Sequence, residues 1–305
     1  ESLVQDIVVL ADVGVIGLDA FKAGSQLKNI YFVGNTPATL NSIGYKKPSN
    51  YPFNADQNVY VKKSKVSEYQ TKWEGGANTP NITYEIPQVT YKNGCSSVCY
   101  PFDVKFPSNQ GNRDIRPYVP VDFSRANDPV KPIIKMRSID NYYVPANVGV
   151  LIGNKGINSV TSYCQIDEGQ SHDKSSIHSL GYNETNENCM IGAVEDMIII
   201  NTPNYQYYAF SKSKGQVVKL SNGVNFPHFK SYFRLKKSGA AKAFTFLFDD
   251  EFETIEKESN SEIENISKVE TEDDSEAPYY NLNGMRVEKP TKGIYIRNGK
   301  KVVIK

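Results

Sequence analysis

Histidine, methionine and tryptophan are scarce in this 305-residue chain, at three, four and one. So few histidines leave little from which to build a multi-histidine metal centre. Net charge is almost absent too, with 35 Lys and Arg against 34 Asp and Glu. That balance gives no global attraction to nucleic acid or to an anionic membrane surface. No apolar run approaches the roughly 18–20 residues of a helical membrane span. There is no phosphate-cradling glycine loop, no nucleophile elbow and no H-E-x-x-H pattern. No signal peptide is visible, but the chain opens on Glu1 and not on Met, so destination is left open.

What is abundant is aromatic. Twenty tyrosines and 14 phenylalanines favour sheet over helix. The length allows two domains, each with its own core. Four cysteines fall as a close pair, Cys95 and Cys99, and a distant one, Cys164 and Cys189. Both disulfide and free-thiol states are compatible with that spacing. Charge is unevenly placed: Asp249 to Glu276 holds 13 acidic residues and two lysines, leaving 33 basic and 21 acidic residues elsewhere. An acidic segment interrupts a mildly basic body.

The clearest internal pattern is a 23-residue offset, in which Val4, Ile7 and Val9 are matched by Leu27, Ile30 and Phe32. A period of about 20–29 residues with an L-x-x-I-x-F strand marks a leucine-rich solenoid, whose turns cannot bury their apolar faces singly. About one and a half turns are legible, so Ile7, Ile30 and Phe32 are expected to need cover from the next domain. Residues 1–87 are assigned to this segment, with a short helix from Ser64 to Trp73 capped by Ser64. Residues 88–254 read as a β-sandwich. Phe102, Val104 and Phe106 alternate with polar neighbours, as do Phe229 to Leu235 and Phe244 to Phe248. Met197 to Ile200 reads as a strand covered on both faces. Asn93-Gly94 and Asn222-Gly223 are hairpin signals. Residues 255–278 are an acidic linker, and 279–305 a small β-meander with turns at Asn283-Gly284 and Asn298-Gly299. The expected fold is therefore mainly β: a leucine-rich repeat end-cap, a β-sandwich and a C-terminal β-meander.

Ile16-Gly-Leu-Asp-Ala-Phe21, Leu27-Lys-Asn-Ile-Tyr-Phe32 and Thr36-Pro-Ala-Thr-Leu40 resemble the final repeat of BspA-like leucine-rich repeat surface proteins. Val59-Tyr-Val-Lys62, Tyr69 and Trp73 are similar to the ending that closes those arrays. Ser25 stands where that family often has Cys. Val144 to Ile152, Ser231 to Leu235 and Ala241 to Asp250 resemble domains that follow such arrays in gut anaerobes. Tyr280 to Val287 and Gly293 to Lys305 look like the C-terminal ending of exported proteins of the same bacteria. The resemblance implies an extracellular or outer-surface location and a protein or glycan ligand, and is silent on activity.

Candidate chemistry is weaker. His172, His178 and Asp173 suggest a metal site, but a spacing of six and Gly/Ser/Asp surroundings read as a solvated loop. His228, between Pro227 and Phe229, reads as a strand entry. Asp249, Asp250, Glu251 and Glu253 lack the alternating order of a calcium loop and read as a solvated strand end. Tyr142, Tyr143, Tyr205, Tyr207 and Tyr208 are candidate ligand contacts able to stack on sugar rings; the plainer reading is core or rim packing. The sequence points to a non-catalytic, cofactor-free surface protein working in adhesion or ligand binding. A carbohydrate-binding module of a glycan-capture system is the alternative. A hydrolase is a third, which two carboxylates converging in a cleft would support.

Overall fold

The computed structural model describes residues 4–22, 26–41, 51–73, 78–90, 95–108, 115–126, 132–153, 160–169, 173–211, 216–237, 244–249, 279–280, 286–287, 291, 293–297 and 300–304. The chain is mainly β, divided into a unit of residues 1–250 and a second of residues 251–305.

The first unit begins as a parallel stack. Strands Asp6–Val9, Asn29–Phe32, Asn58–Val61 and Asn81–Thr83 pair in sequence order. Their register is strict: Asp6, Asn29, Asn58 and Asn81 are in line, and Ile7, Ile30, Val59 and Ile82 are in line beside them. A second parallel pair, Val15–Ile16 with Thr39–Leu40, runs on the return path. The strands readable at Val59–Val61 and from Asn81 prove to be two further steps of the stack, which the 23-residue offset did not show. The middle step is 29 residues long instead of 23, and its Pro/Asn/Tyr-rich filling hides the period.

Strand alternation gives the stack two faces. Ile30, Phe32, Val59 and Val61 turn inward and pack with Phe53, Tyr69 and Trp73. The helix Val66–Lys72 closes that core, with Trp73 fully buried and its indole N–H donating to Ala38 O at 2.9 Å. The helix is entered through a 3-10 turn at Lys63–Lys65, so Ser64 is not its cap.

The opposite face carries a row of side-chain amides. Asn81 Nδ2 donates to Asn58 Oδ1 at 3.0 Å, Asn58 Nδ2 to Asn29 Oδ1 at 3.2 Å, and Asn29 Nδ2 to Asp6 Oδ1 at 2.9 Å. Beside this row Tyr31 and Tyr60 stack at 4.9 Å between centroids. They pack against the rest of the unit: Tyr31 lies 5.6 Å from both Phe102 and Phe229, and Tyr100 lies 5.1 Å from Phe229. The stack and the body thus share one core, but not through the residues expected. Ile7, Ile30 and Phe32 are covered by the stack itself; the tyrosine face is what the body covers.

The body is built of several sheets. One runs Thr245–Phe248, Ile133–Ser138, Arg116–Asp122, Val150–Gly153, Cys95–Val98; only the first pair is parallel. Another runs Tyr143–Val144, Val104–Lys105, Val160–Ile166, Ile86–Thr90. A third runs Cys189–Ala193, Lys230–Lys236, Tyr205–Ser211, Gln216–Lys219. The turn at 91–94 lies outside the described residues, but its flanking strands pair elsewhere, with Val160–Ile166 and with Val150–Gly153. Asn222-Gly223 is a turn with Gly223 at φ +76, yet it too joins strands of different sheets. At both places the described flanking strands belong to different sheets, so the hairpin pairing expected of them is not made. Among the described residues Met197–Ile199 pairs only with Val224–Phe226, and Ile198 and Ile200 are 59% and 66% exposed, contrary to the two-sided burial expected of that run. The alternating Phe102, Val104 and Phe106 are buried as expected.

All four cysteines are free and buried. Cys95 and Cys99 are four residues apart along an extended segment, about 13 Å, and a disulfide needs Cα atoms within about 7 Å. Burial pushes both thiols up to about 12. A Cβ added to Gly192 would stand 2.1 Å from Cys99 Sγ, so this close approach requires glycine.

The second unit holds an antiparallel sheet ordered Arg286–Val287, Tyr279–Tyr280, Gly293–Arg297, Lys300–Ile304, one strand more than the expected meander. Its two Asn-Gly turns and the acidic linker lie outside the described residues.

One polar clasp joins stack and body. His228 Nε2 meets Asp6 Oδ2 at 2.9 Å and Nδ1 meets Asp196 Oδ1 at 2.7 Å. Phe229, next in sequence, sits at φ +56, a left-handed conformation costly for a bulky residue and held here by the aromatic seam. Burial alone would lower the pKa of His228. The hydrogen bonds to Asp196 and Asp6, with their charges, outweigh it and raise the value above the histidine norm. A raised folded-state pKa contributes stability fully below the unfolded value and loses it as pH rises through the folded one. The thermal midpoint should therefore fall as pH rises from about 6.5, the unperturbed histidine value, through the raised one. His228→Gln should flatten that part of the profile. A native midpoint level or rising across the window would overturn the clasp.

Candidate functional site

The five candidate tyrosines are not gathered into one surface. Tyr143 is 5% exposed and Tyr208 2% exposed, so both are core side chains. The Tyr208 hydroxyl bonds Gln206 Oε1 at 2.7 Å and its ring meets Phe244 edge-on at 4.7 Å. Tyr142 is half-buried, at φ +58, with the Arg116 guanidinium 5.6 Å from its ring centroid. Tyr205 and Tyr207 share the other face of their strand; Arg234 lies 5.1 Å over Tyr205, and Tyr207 packs on Tyr232 at 5.9 Å. These two remain half-exposed.

His178 Nε2 meets Glu184 Oε2 at 3.0 Å, and His172 lies outside the described residues. Among the described residues no three His, Cys, Asp or Glu gather as a metal site. Asp249 accepts from Ser138 N at 2.9 Å and Ser138 Oγ at 2.5 Å, locking a strand end; Asp250, Glu251 and Glu253 are outside the described residues.

The structure instead presents a cleft of about 350 Å³ between stack and body, within the size range of ligand sites. From the stack come Leu10, Val33, Asn35 and Lys62; from the body come Phe102, Asp103, Ile166 and Asp167. Each is placed by a local device. Asp12 accepts from the backbone N–H of Asn35 at 2.6 Å and of Thr36 at 2.8 Å, and from Thr36 Oγ1 at 3.3 Å. This carboxylate stitches one return loop to the turn before it. The backbone of Gly34 passes so close that a Cβ there would meet Asp12 Oδ1 at 2.3 Å. Hydrogen bonds from Thr36 and Asn35 and the nearby Lys62 charge outweigh burial and hold the Asp12 carboxyl below the usual range.

Lys62 follows directly on the strand Asn58–Val61, and at 7% exposed it is buried for a lysine. Its Nζ donates to Asn35 Oδ1 at 2.7 Å. Among the described residues no carboxylate comes within ion-pair range of it. On the body wall, Asp103 Oδ1 accepts from Ala146 N at 2.7 Å and Asp167 Oδ2 from Gly169 N at 2.8 Å. Glu168, next to Asp167, clamps the rim: its oxygens accept from Ser64 N at 2.8 Å and Ser64 Oγ at 2.5 Å. Ser64 therefore ties stack to body.

Lys62, Asp103 and Asp167 lie far apart in sequence, with no spacing that would have joined them. The cleft sets cationic and amide donors on one wall and carboxylate acceptors on the other. A buried ammonium with no carboxylate at ion-pair distance, Asp12 acting on it only from further off, costs stability, whereas its methylene stem packs favourably. Lys62→Met should accordingly leave stability unchanged or raise it by about 1 kcal/mol, read as the urea midpoint. A loss of more than about 2 kcal/mol would mean that the amine is a structural tie and not a site residue.

Compared with family models, with curated proteins and with solved structures, the chain matches none of them.

Proposed function

We propose that this chain is a non-catalytic binding protein of the outer surface, a leucine-rich repeat end-cap followed by a β-sandwich, working in adhesion or ligand capture. The observation that carries the reading is the cleft of donors facing acceptors, with a buried Lys62, hydrogen-bonded to Asn35 and outside ion-pair distance of any described carboxylate, on one wall. Four in-register parallel strands with an aliphatic inner face support the repeat assignment. The packed sheets sharing one core support the sandwich assignment. Both ring nitrogens of His228 meet carboxylates, which leaves this histidine poorly placed as a general base, and the Cys95 and Cys99 thiols are held protonated. The surface location rests on the resemblance of the repeat and tail sequences to exported proteins.

One revision accompanies this reading. The face of a parallel stack that repeat proteins turn to ligands is, around Tyr31 and Tyr60, covered by Phe102 and Phe229. Recognition is therefore assigned to the cleft beside that face. A carbohydrate-binding module remains the second reading, because Tyr205 and Tyr207 present two rings on one strand face. The hydrolase reading has Asp103 and Asp167 in one cleft as its support.

Arrays of glycans and extracellular proteins probed with the intact chain separate the three. The proposal expects retention without product release, weakened about tenfold or more by Lys62→Met. Retention lost on Tyr205→Ala and Tyr207→Ala but untouched by Lys62→Met would install the carbohydrate-module reading. Turnover abolished by Asp103→Asn would install the hydrolase.

A further inference from the structure

The ribbon next to the His228 clasp is unfinished on one side. Met197–Ile199 and Val224–Phe226 make a sheet of two strands, and among the described residues neither pairs with a third. Alternation divides its side chains. Ile199 and Phe226 are buried and pack with Ala209 and Tyr232 of the third sheet. Ile198 and Ile200 turn the other way, and among the described residues of the body they are the exposed large apolar side chains. Two such groups at neighbouring positions of one strand face form a patch, which a solitary surface aliphatic does not. A groove of about 520 Å³ adjoins them, lined by Asp196, Met197, Ile198, Asn225, Phe226 and Pro227.

Charge at this patch has one sign. Asp196, Ile198 and Ile200 stand at alternate positions along the chain. Asp196 Oδ1 accepts from the His228 backbone N–H at 2.8 Å and meets its Nδ1 at 2.7 Å, yet the Asp196 side chain stays 76% exposed. Glu195, next to it, is exposed as well. Among the described residues no Lys or Arg comes within ion-pair range of either carboxylate. His228 is shared with Asp6, so the acids outnumber it. Two copies of this groove set face to face would bring like charges together, and an anionic lipid surface would meet the same repulsion.

We infer that this open edge takes an extended segment of a partner protein as an added strand, one with a lysine or arginine and two branched aliphatic residues at alternate positions. Backbone pairing along Met197–Ile199 gives the contact its register. The partner's aliphatic side chains lie beside Ile198 and Ile200, and its cation lies beside Asp196 and Glu195. This surface shares no lining residue with the cleft and does not depend on what the cleft holds.

Methyl NMR of the full chain, labelled at isoleucine, reads the patch directly, with Ile198→Val and Ile200→Val assigning the two signals. The probes are acetyl-Lys-Thr-Ile-Thr-Ile-amide and acetyl-Ile-Thr-Ile-Thr-Lys-amide, for parallel and antiparallel addition. Controls carry glutamate in place of the lysine, or serine in place of both isoleucines. One lysine peptide is expected to shift both signals saturably at millimolar concentration. Glutamate for lysine should weaken binding at least about tenfold, and the serine analogue should leave the signals in place. Ile198→Thr, read at Ile200, should weaken binding by about tenfold or more. Glu195→Gln should narrow the preference for lysine over glutamate; it is chosen because Asp196→Asn would also open the clasp. Thermal melts of each variant confirm folding. Equal shifts by the lysine and glutamate peptides would keep the patch and overturn the assigned charge. Shifts that grow with the concentration of the chain alone would make a second copy the occupant and overturn the partner. Unmoved signals with every peptide would overturn the added strand.

Discussion

Burial of the tyrosine face of the parallel stack is the constraint on which the other features depend. Tyr31 and Tyr60 are 4% exposed, and each aromatic contact contributes about 0.5–1.5 kcal/mol beyond its area. Because the side-chain period of a strand is two, covering Tyr31 also fixes Asn29 beside the seam and Ile30 and Phe32 behind it. A slip of one residue would put an asparagine, or in the first strand Asp6, into the aliphatic core. The His228 clasp at one margin and the Ser64–Glu168 clamp at another are polar fastenings around this apolar centre. The cleft lies where the two parts meet, with Val33 of the stack and Phe102 of the body among its lining residues.

This arrangement also explains how thiols can be numerous and silent. Cys164 receives a hydrogen bond from Gln88 Nε2 at 3.4 Å, and the same amide group meets the Tyr100 hydroxyl at 2.6 Å. Burial raises the thiol, with hydrogen bonds to it from Tyr100 and Gln88 acting against that. Cys99 is packed against Gly192 with no room for a larger residue there. These cysteines behave as small apolar side chains near the junction of sheets.

How much was legible can be judged residue by residue. The offset linking Ile7 to Ile30 disclosed a stack, because inward aliphatic positions recur whatever the return path holds. Strands at Val59–Val61 and from Asn81 were readable, but not as further members of the stack, because an irregular step breaks periodicity without breaking register. Alternation at Phe102, Val104 and Phe106 was readable, since burial of one sheet face is a local pattern. Asn222-Gly223 signalled a turn and concealed the partners: turn chemistry specifies a reversal and says nothing of whether the flanking strands pair. The Met197–Ile200 run misled because hydrophobicity is local and coverage is not. Lys62, Asp103 and Asp167 were unreadable as a set, since only tertiary packing brings together residues so distant in sequence.

The row of side-chain amides has a direction. Asn81 donates to Asn58, Asn58 to Asn29 and Asn29 to Asp6, each toward the strand before it. Asp6 takes the Asn29 amide on Oδ1 and meets the His228 ring with Oδ2. The row thus delivers its polarity into the clasp between stack and body, so that strand register in the stack and closure of the body upon it are joined through one carboxylate.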